Sequence, residues 1–429
     1  MTNQAAFVSL SAVVLAFAVI AGSGCAQPAV PDGEEGGEGC ANCSSTQFCL
    51  NGACSDRECT DDGDCGPGLV CGAGGACQSP VGENDSRDPW LWPFASDSIW
   101  NQPIGTEAVY RPADLEAAGN VGVDTQHLLK LSASDPERAV LMTNDFGPGR
   151  CSGTDVLPFT LHVPDNWIVP DAGPDNPYGN TPNSNAAFLL DDGNSLLQLV
   201  LVSRCVEGGP VYAPDFYQFE DNRRVESVRG DGTSGGGQGA SGMSSMGGNI
   251  RLGELTGERP LRHAIKLNPW ARKYLYYSED VPGFRWPATA ADSYAADPEF
   301  GYAPEAFGRP SAPWLVMGSL LAIPPSASAT AAANELRTVP GRILFEALQN
   351  YGAYFTEDAA YDTWDLIVER GVPEEVNAGT GTDIENLDGD FGHDLNLLVT
   401  LLFVVDDNGP TSIGGAGSPS APLAPPFAD

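Results

Sequence analysis

The chain has 429 residues, 42% of them apolar, enough for the core of one large domain of roughly 250 to 340 residues with appendages. Its 57 acidic residues against 21 basic ones leave a formal net charge of −36, which opposes phosphate backbones and anionic headgroups and excludes nucleic acid as a partner. Eleven cysteines, with Cys25 alone, eight between Cys40 and Cys77, and then Cys151 and Cys205, imply an oxidising compartment.

Residues 8–21 are an uncharged apolar run of signal-peptide length, too short to span a bilayer comfortably, and small residues follow up to Cys25. The pattern resembles a bacterial lipoprotein signal over residues 1–24. That resemblance implies that Cys25 is lipidated and that the exported chain is held at the outer membrane or cell surface; a plain secretory signal with a stray cysteine is the other reading. Residues 25–39, rich in Pro, Gly and Glu, read as a flexible tether.

Cys40, Cys43, Cys49, Cys54, Cys59, Cys65, Cys71 and Cys77 are separated by 2, 5, 4, 4, 5, 5 and 5 residues. A segment so poor in apolar residues cannot hold itself by burial, and four disulfides would do so by restricting the unfolded chain. Zinc is the competing use, disfavoured because residues 40–77 contain no histidine. The run from Cys59 to Cys77 resembles the Dickkopf-like cysteine-rich modules of secreted bacterial lipoproteins, which implies a spacer or interaction module.

After a polar linker, residues 78–88, the composition changes at Trp90, Trp92 and Phe94, where the main domain, residues 89–410, begins. Short apolar runs broken by Pro, Gly, Asn and Asp predict strands over residues 139–143, 156–163, 186–190, 196–202, 249–255, 261–267, 274–277, 284–287 and 315–323. The expected fold is mainly β, an antiparallel β-sandwich or jelly-roll-like domain with one or two short C-terminal helices, preceded by the small disulfide-rich module. Cys151 and Cys205 are expected to pair. Pro340, followed by apolar residues at 344, 347, 348 and 351 and by Gly352, predicts a helix over residues 340–351. A short strand over residues 353–356, a second helix over residues 361–370 and a central apolar strand over residues 395–405 complete the domain. A tail rich in Gly, Pro and Ser, residues 411–429, runs along the surface.

The focal stretch is residues 230–266. Its glycine-dense segment, residues 230–248, reads as a long flexible approach or lid, and the strands after it place Arg251 and Glu254 beside Arg262 and His263. The segment lacks the Lys-Ser/Thr ending of a phosphate cradle, and Ser241, Ser244 and Ser245 do not form a strand-turn-helix serine elbow. His127, His162, His263 and His393 have no metal-ligand spacing, so neither a metal nor a cofactor is expected.

Residues 248–255, Arg262-His263-Ala264-Ile265-Lys266, Trp286-Pro287-Ala288 and residues 347–354, with the opening Asp97-Ser98-Ile99-Trp100-Asn101, resemble a family of secreted bacterial proteins. The resemblance spans most of residues 90–410 and implies the domain and its focal residues, but no reaction. Thr356-Glu357-Asp358 stands where the family has an Ala-Asp-Asn type turn.

A carboxylate, a histidine and arginines on neighbouring strands are parts that polysaccharide cleavage needs. A hydrolase uses two carboxylates, whereas a lyase neutralises a uronate and removes its α proton. Glu254 and His263 are the expected centre, with Arg251, Arg262, Tyr351 and Asp358 around them. The competing readings are a structural Arg251–Glu254 ion pair, a hydrogen-bonded core histidine, and a non-catalytic surface module for glycan binding or adhesion.

Overall fold

The computed structural model describes residues 86–143, 149–169, 183–214, 225–233 and 236–428, together with the backbone of four short strands further upstream. The chain divides into two compact units, residues 1–57 and 58–429. In the first, β1 (Gln47–Leu50) and β2 (Ala53–Asp56) pair antiparallel with Cys49 across from Cys54. In the second, β3 (Val70–Cys71) pairs with β4 (Cys77–Gln78), Cys71 across from Cys77. The expected lipidation at Cys25 and the cysteines Cys40, Cys43, Cys59 and Cys65 lie outside the described residues.

The main domain is built on β5 (Tyr110–Pro112), β6 (Asn120–Lys130), β7 (Glu137–Met142), β8 (Val156–His162), β9 (Ala186–Leu189), β10 (Ser195–Leu199), β11 (Val211–Ala213), β12 (Val225–Ser227), β13 (Ile265–Pro269), β14 (Leu320–Ala322), β15 (Ala353–Phe355), β16 (Thr363–Glu369) and β17 (Phe403–Val405). A ten-stranded sheet runs β12-β10-β9-β6-β16-β13-β15-β14-β17-β5, and a three-stranded sheet runs β11-β7-β8. The protein is thus mainly sheet. It is not purely antiparallel, because β6 pairs parallel with both β9 and β16, and β13 pairs parallel with β15.

Period-two alternation gives each central strand two different faces. Trp364, Leu366 and Val368 of β16, with Ile265 and Leu267 of β13 and Phe355 of β15, join one apolar cluster. That cluster also contains Leu344 and Leu348 of α3 (Val339–Asn350) and Leu395 and Leu398 of α5 (Asp390–Thr400). On β9 and β10, Ala186, Phe188, Leu197 and Leu199 join a second cluster with Val140, Leu157 and Leu161 of the three-stranded sheet. The opposite faces of β6, β13 and β16 carry Asp124, Lys266, Asn268 and Asp365.

The helix expected over residues 340–351 is α3. Thr338 caps it by accepting from the Gly341 N–H, and Gly352 at φ +80° ends it. The two elements expected downstream differ. Residues 363–369 form β16 rather than a helix, since Trp364, Leu366 and Val368 alternate among β-branched neighbours. Of the strand expected over residues 395–405 only β17 forms, and residues 390–400 are α5, because Phe391, Leu395, Leu398 and Val399 recur at helical spacing on its buried side. The helical content also exceeds the expected one or two elements: α1 (Ala271–Tyr274), α2 (Ala327–Ala333) and α4 (Val372–Thr380) are present besides α3 and α5. The strand expected over residues 274–277 is absent, residue 274 closing α1, and residues 284–287 end in a cis Trp286–Pro287 bond. Cys151 and Cys205 are bonded, with Cα atoms 6.2 Å apart.

Candidate functional site

Residues 249–255, expected as a strand, are a turn. The Glu254 carboxylate accepts the Arg251 backbone N–H at 2.6 Å, Gly253 takes φ +85°, and Ile250 alone bridges to Val368. The strand expected over residues 261–267 begins only at Ile265. The turn brings Glu254 to His263, with Oε2 3.3 Å from Nε2, while His263 Nδ1 lies 2.9 Å from the Ala264 carbonyl. Arg251 Nε donates to Glu369 at 2.8 Å and its Nη1 to the Trp90 carbonyl at 2.7 Å. Both imidazole nitrogens thus face oxygen atoms of the protein itself, so neither is turned toward an open space. Glu254 and His263 are 3% and 7% exposed, and the cavity beside His263 holds only about 10 Å³, room for about one water.

The other expected residues lie elsewhere. The Arg262 guanidinium acts on Glu346 and on Tyr351, whose hydroxyl donates to the Pro422 carbonyl at 3.3 Å. Asp358 accepts from the Ala271 N–H at 2.6 Å and from the Tyr294 hydroxyl at 2.7 Å. Burial, and then the neighbouring Asp292, push its carboxyl up to about 7.

A second polar constellation occupies the non-apolar face of the central strands. Register places Asp365 across from Gly122 of β6 and Asn268 of β13, with Ile367 across from Asp124. Lys266, two residues before Asn268, shares that face and is wholly buried. Its Nζ donates to Gln238 Oε1 at 2.9 Å and to the Ser245 carbonyl at 3.2 Å. Gln238 Nε2 in turn donates to Glu357 Oε2 at 2.5 Å, and Asn183 and Asn185 also donate to the Glu357 carboxylate. At one side Ser244 donates to Glu226 at 2.6 Å and Gln198 bonds the same oxygen.

The glycine-dense segment makes this packing possible and is a wall rather than a lid. A Cβ on Gly232, Gly247 or Gly248 would sit 2.5, 2.2 or 2.4 Å from the Trp100 ring. One on Gly239 would fall 1.9 Å from a Glu357 carboxylate oxygen. Only glycine allows the backbone so close to Trp100 and Glu357. Trp100 ties the segment down by donating from Nε1 to the Gly232 carbonyl at 2.9 Å.

Burial sets the electrostatics. It pushes Glu357 up to about 8, with Asp124 adding to the effect. It pushes Asp124 up to about 7, helped by Asp365 and opposed by Lys266 and Arg150. Asp365 rises to about 6 by burial, against the Thr363 hydroxyl bond. Burial lowers Lys266 to about 7 against the pull of Glu357, Asp124 and Glu226. Three carboxyls and one lysine thus titrate near neutrality and depend on one another. Asp124, Asp365 and Asp358 are half-buried, so the cluster has a solvent-facing side. Among the described residues, the buried Gln126 amide on β6 and the buried Ser245 hydroxyl find no hydrogen-bond partner.

No protein-family model, curated protein or solved structure matches this chain. Asp124, Glu226, Lys266, Glu357 and Asp365 were not singled out by sequence reasoning as site residues. Lys266 and Glu357 did lie inside quoted motifs, and the signal was a lysine between Ile265 and Leu267 in a strand buried on both faces. Among the described residues no group of three or more His, Cys, Asp or Glu is arranged to hold a metal ion, and no helix is long and apolar enough to cross a membrane.

Proposed function

We propose that this protein is an exported surface lipoprotein, anchored through Cys25, whose main domain cleaves an extracellular polysaccharide by acid–base chemistry at the Asp124–Lys266–Glu357 cluster. The observation that carries the chemistry is the crowding of Glu357, Asp124 and Glu226 around one buried lysine, with Asp365 beside Asp124. One ammonium neutralises one carboxylate, and the carboxyls that remain share protons near neutral pH. Such a site holds a proton donor and a proton acceptor together.

In this reading Asp124 and Glu357 form the acid–base pair, Asp124 half-buried on the solvent-facing side and Glu357 held by three amide groups. The amides of Asn183, Asn185 and Gln238, and the unpartnered Gln126 and Ser245, suit the hydroxyl groups of a saccharide. Glu254, His263 and Arg251 brace the wall. The packing of the three-stranded sheet against β9 and β10 supports the sandwich reading in that part of the fold.

The test incubates the purified protein with a polysaccharide panel, reading new reducing ends for hydrolysis and absorbance of unsaturated products for elimination. Asp124→Asn and Glu357→Gln are expected to abolish product while Glu254→Gln retains it. No product from any glycan, or full turnover by both cluster variants, overturns the catalytic reading. One observation favours a second reading, a non-catalytic glycan-binding or adhesion module: Lys266 and Gln198 are wholly covered, as in a structural network. Glycan binding without product, unchanged in Asp124→Asn, would establish it.

A further inference from the structure

At the β5–β17 edge of the large sheet lies a groove of about 370 Å³, walled by Arg111, Phe284, Arg285, Trp314 and Asp406. None of these belongs to the carboxylate cluster. Trp314 also lines a second pocket of about 140 Å³ together with Arg309 and Asp114. Trp314 is anchored by its edge, Nε1 donating to the Pro112 carbonyl at 3.0 Å. An edge anchor fixes the ring and leaves the face not covered by Arg111 for contact.

The charge in the larger recess runs against the rest of the chain. With only 21 basic residues in a chain of net charge −36, Arg111 and Arg285 both border it, whereas Arg309 of the smaller pocket is paired with Glu116 at 3.7 Å. The Arg111 guanidinium lies 5.2 Å from the Trp314 ring centroid. Arg111 Nε meets Asp406 Oδ2 at 2.7 Å, and Arg285 Nη1 lies 3.8 Å from Asp406 Oδ1. One carboxylate thus stands between two guanidiniums in the larger recess, which leaves an excess positive charge beside an indole. An aromatic face flanked by arginine forks recognises a sugar ring bearing an anionic group: the ring stacks, and the carboxylate or sulfate takes the guanidinium donors.

We propose that this groove is a binding subsite for an anionic saccharide, a polymer of uronate or sulfated sugars. The inference rests on the glycan reading above and names the substrate class. Affinity electrophoresis of the purified protein through gels containing polygalacturonate, dextran sulfate or neutral dextran tests it. Retardation is expected in one or both anionic gels and not in dextran, and retention by polygalacturonate alone assigns the charge to a carboxylate. Arg111→Ala and Trp314→Ala should each weaken retention about tenfold, with unchanged circular dichroism. Equal retardation by dextran, no retardation by either polyanion, or retention undiminished in both variants would overturn the subsite. Asp124→Asn separates the two proposals. The subsite predicts normal retardation of this variant, whereas loss of turnover with binding intact bears on catalysis alone.

Discussion

Lys266 and Glu357 are joined through a single amide. The ammonium donates to Gln238 Oε1 at 2.9 Å, and Gln238 Nε2 donates to Glu357 Oε2 at 2.5 Å. The orientation of the amide follows from its neighbours, because an ammonium can only donate and a carboxylate only accept. Positive charge at one end and negative charge at the other therefore support each other across a fully buried bridge, and removing either end strands the other.

Lys266→Met should accordingly destabilise the protein by about 3–5 kcal/mol, the cost of leaving buried carboxylates without their cation. Glu357→Gln in the same chain should recover part of that loss. Urea unfolding of the two single variants and the double variant measures the coupling, and strictly additive losses would show that the bridge is not felt as a unit.

The raised carboxyls make stability depend on pH with a definite sign. Asp124, Asp358 and Asp365 have folded-state values of about 7, 7 and 6, above the ordinary value of 3.8. Between those limits the native state binds more protons than the unfolded chain, so these groups lower stability as pH rises from about 4 to about 7. Lys266, lowered from 10.5 to about 7, acts oppositely only above neutrality. The melting temperature should therefore fall between pH 5 and pH 7, and Asp124→Asn should flatten that slope. An equally steep slope in the variant would remove Asp124 from the account.

The glycines that face Trp100 should tolerate no side chain. Gly247→Ala places a methyl group 2.2 Å from the indole, and an overpacking cost of at least about 1–3 kcal/mol follows. Gly409 has open space around its Cβ position, and Gly409→Ala should stay within about 0.5 kcal/mol of the parent. Chemical denaturation of the pair makes the comparison, with the second variant as the internal control.

The Cys151–Cys205 bond closes a loop with a sequence separation of 54 residues. Loop entropy assigns it about 4 kcal/mol, so a Cys151→Ser/Cys205→Ser double variant should unfold at correspondingly lower denaturant. An unchanged midpoint would mean that the unfolded chain is no freer without the bond.

Much of the periphery was legible residue by residue. The proline start, apolar spacing and glycine stop of α3 are local signals, as are the alternating runs that became β7, β8, β9 and β10, and the isolated cysteine pair. Legibility failed where burial is two-sided. β16 and α5 are both dense in apolar residues, and such runs lose the contrast between faces that separates period 2 from period 3.6. The Arg251–Leu255 turn was missed for another reason, since Glu254 competes for a backbone N–H that a strand would have used.

By itself the sequence determined the acidic, cysteine-bearing composition, the predominance of short strands, the α3 boundaries and the density of glycine in residues 230–248. Only the tertiary structure decided what those glycines approach and which charges meet. Asp124, Lys266 and Glu357 belong to widely separated segments, and parallel pairing of β6 with β16 and of β13 with β15 brings them to one face. Strand register is a long-range property. A local pattern says which residues share a face of one strand, but neighbouring strands choose what that face confronts.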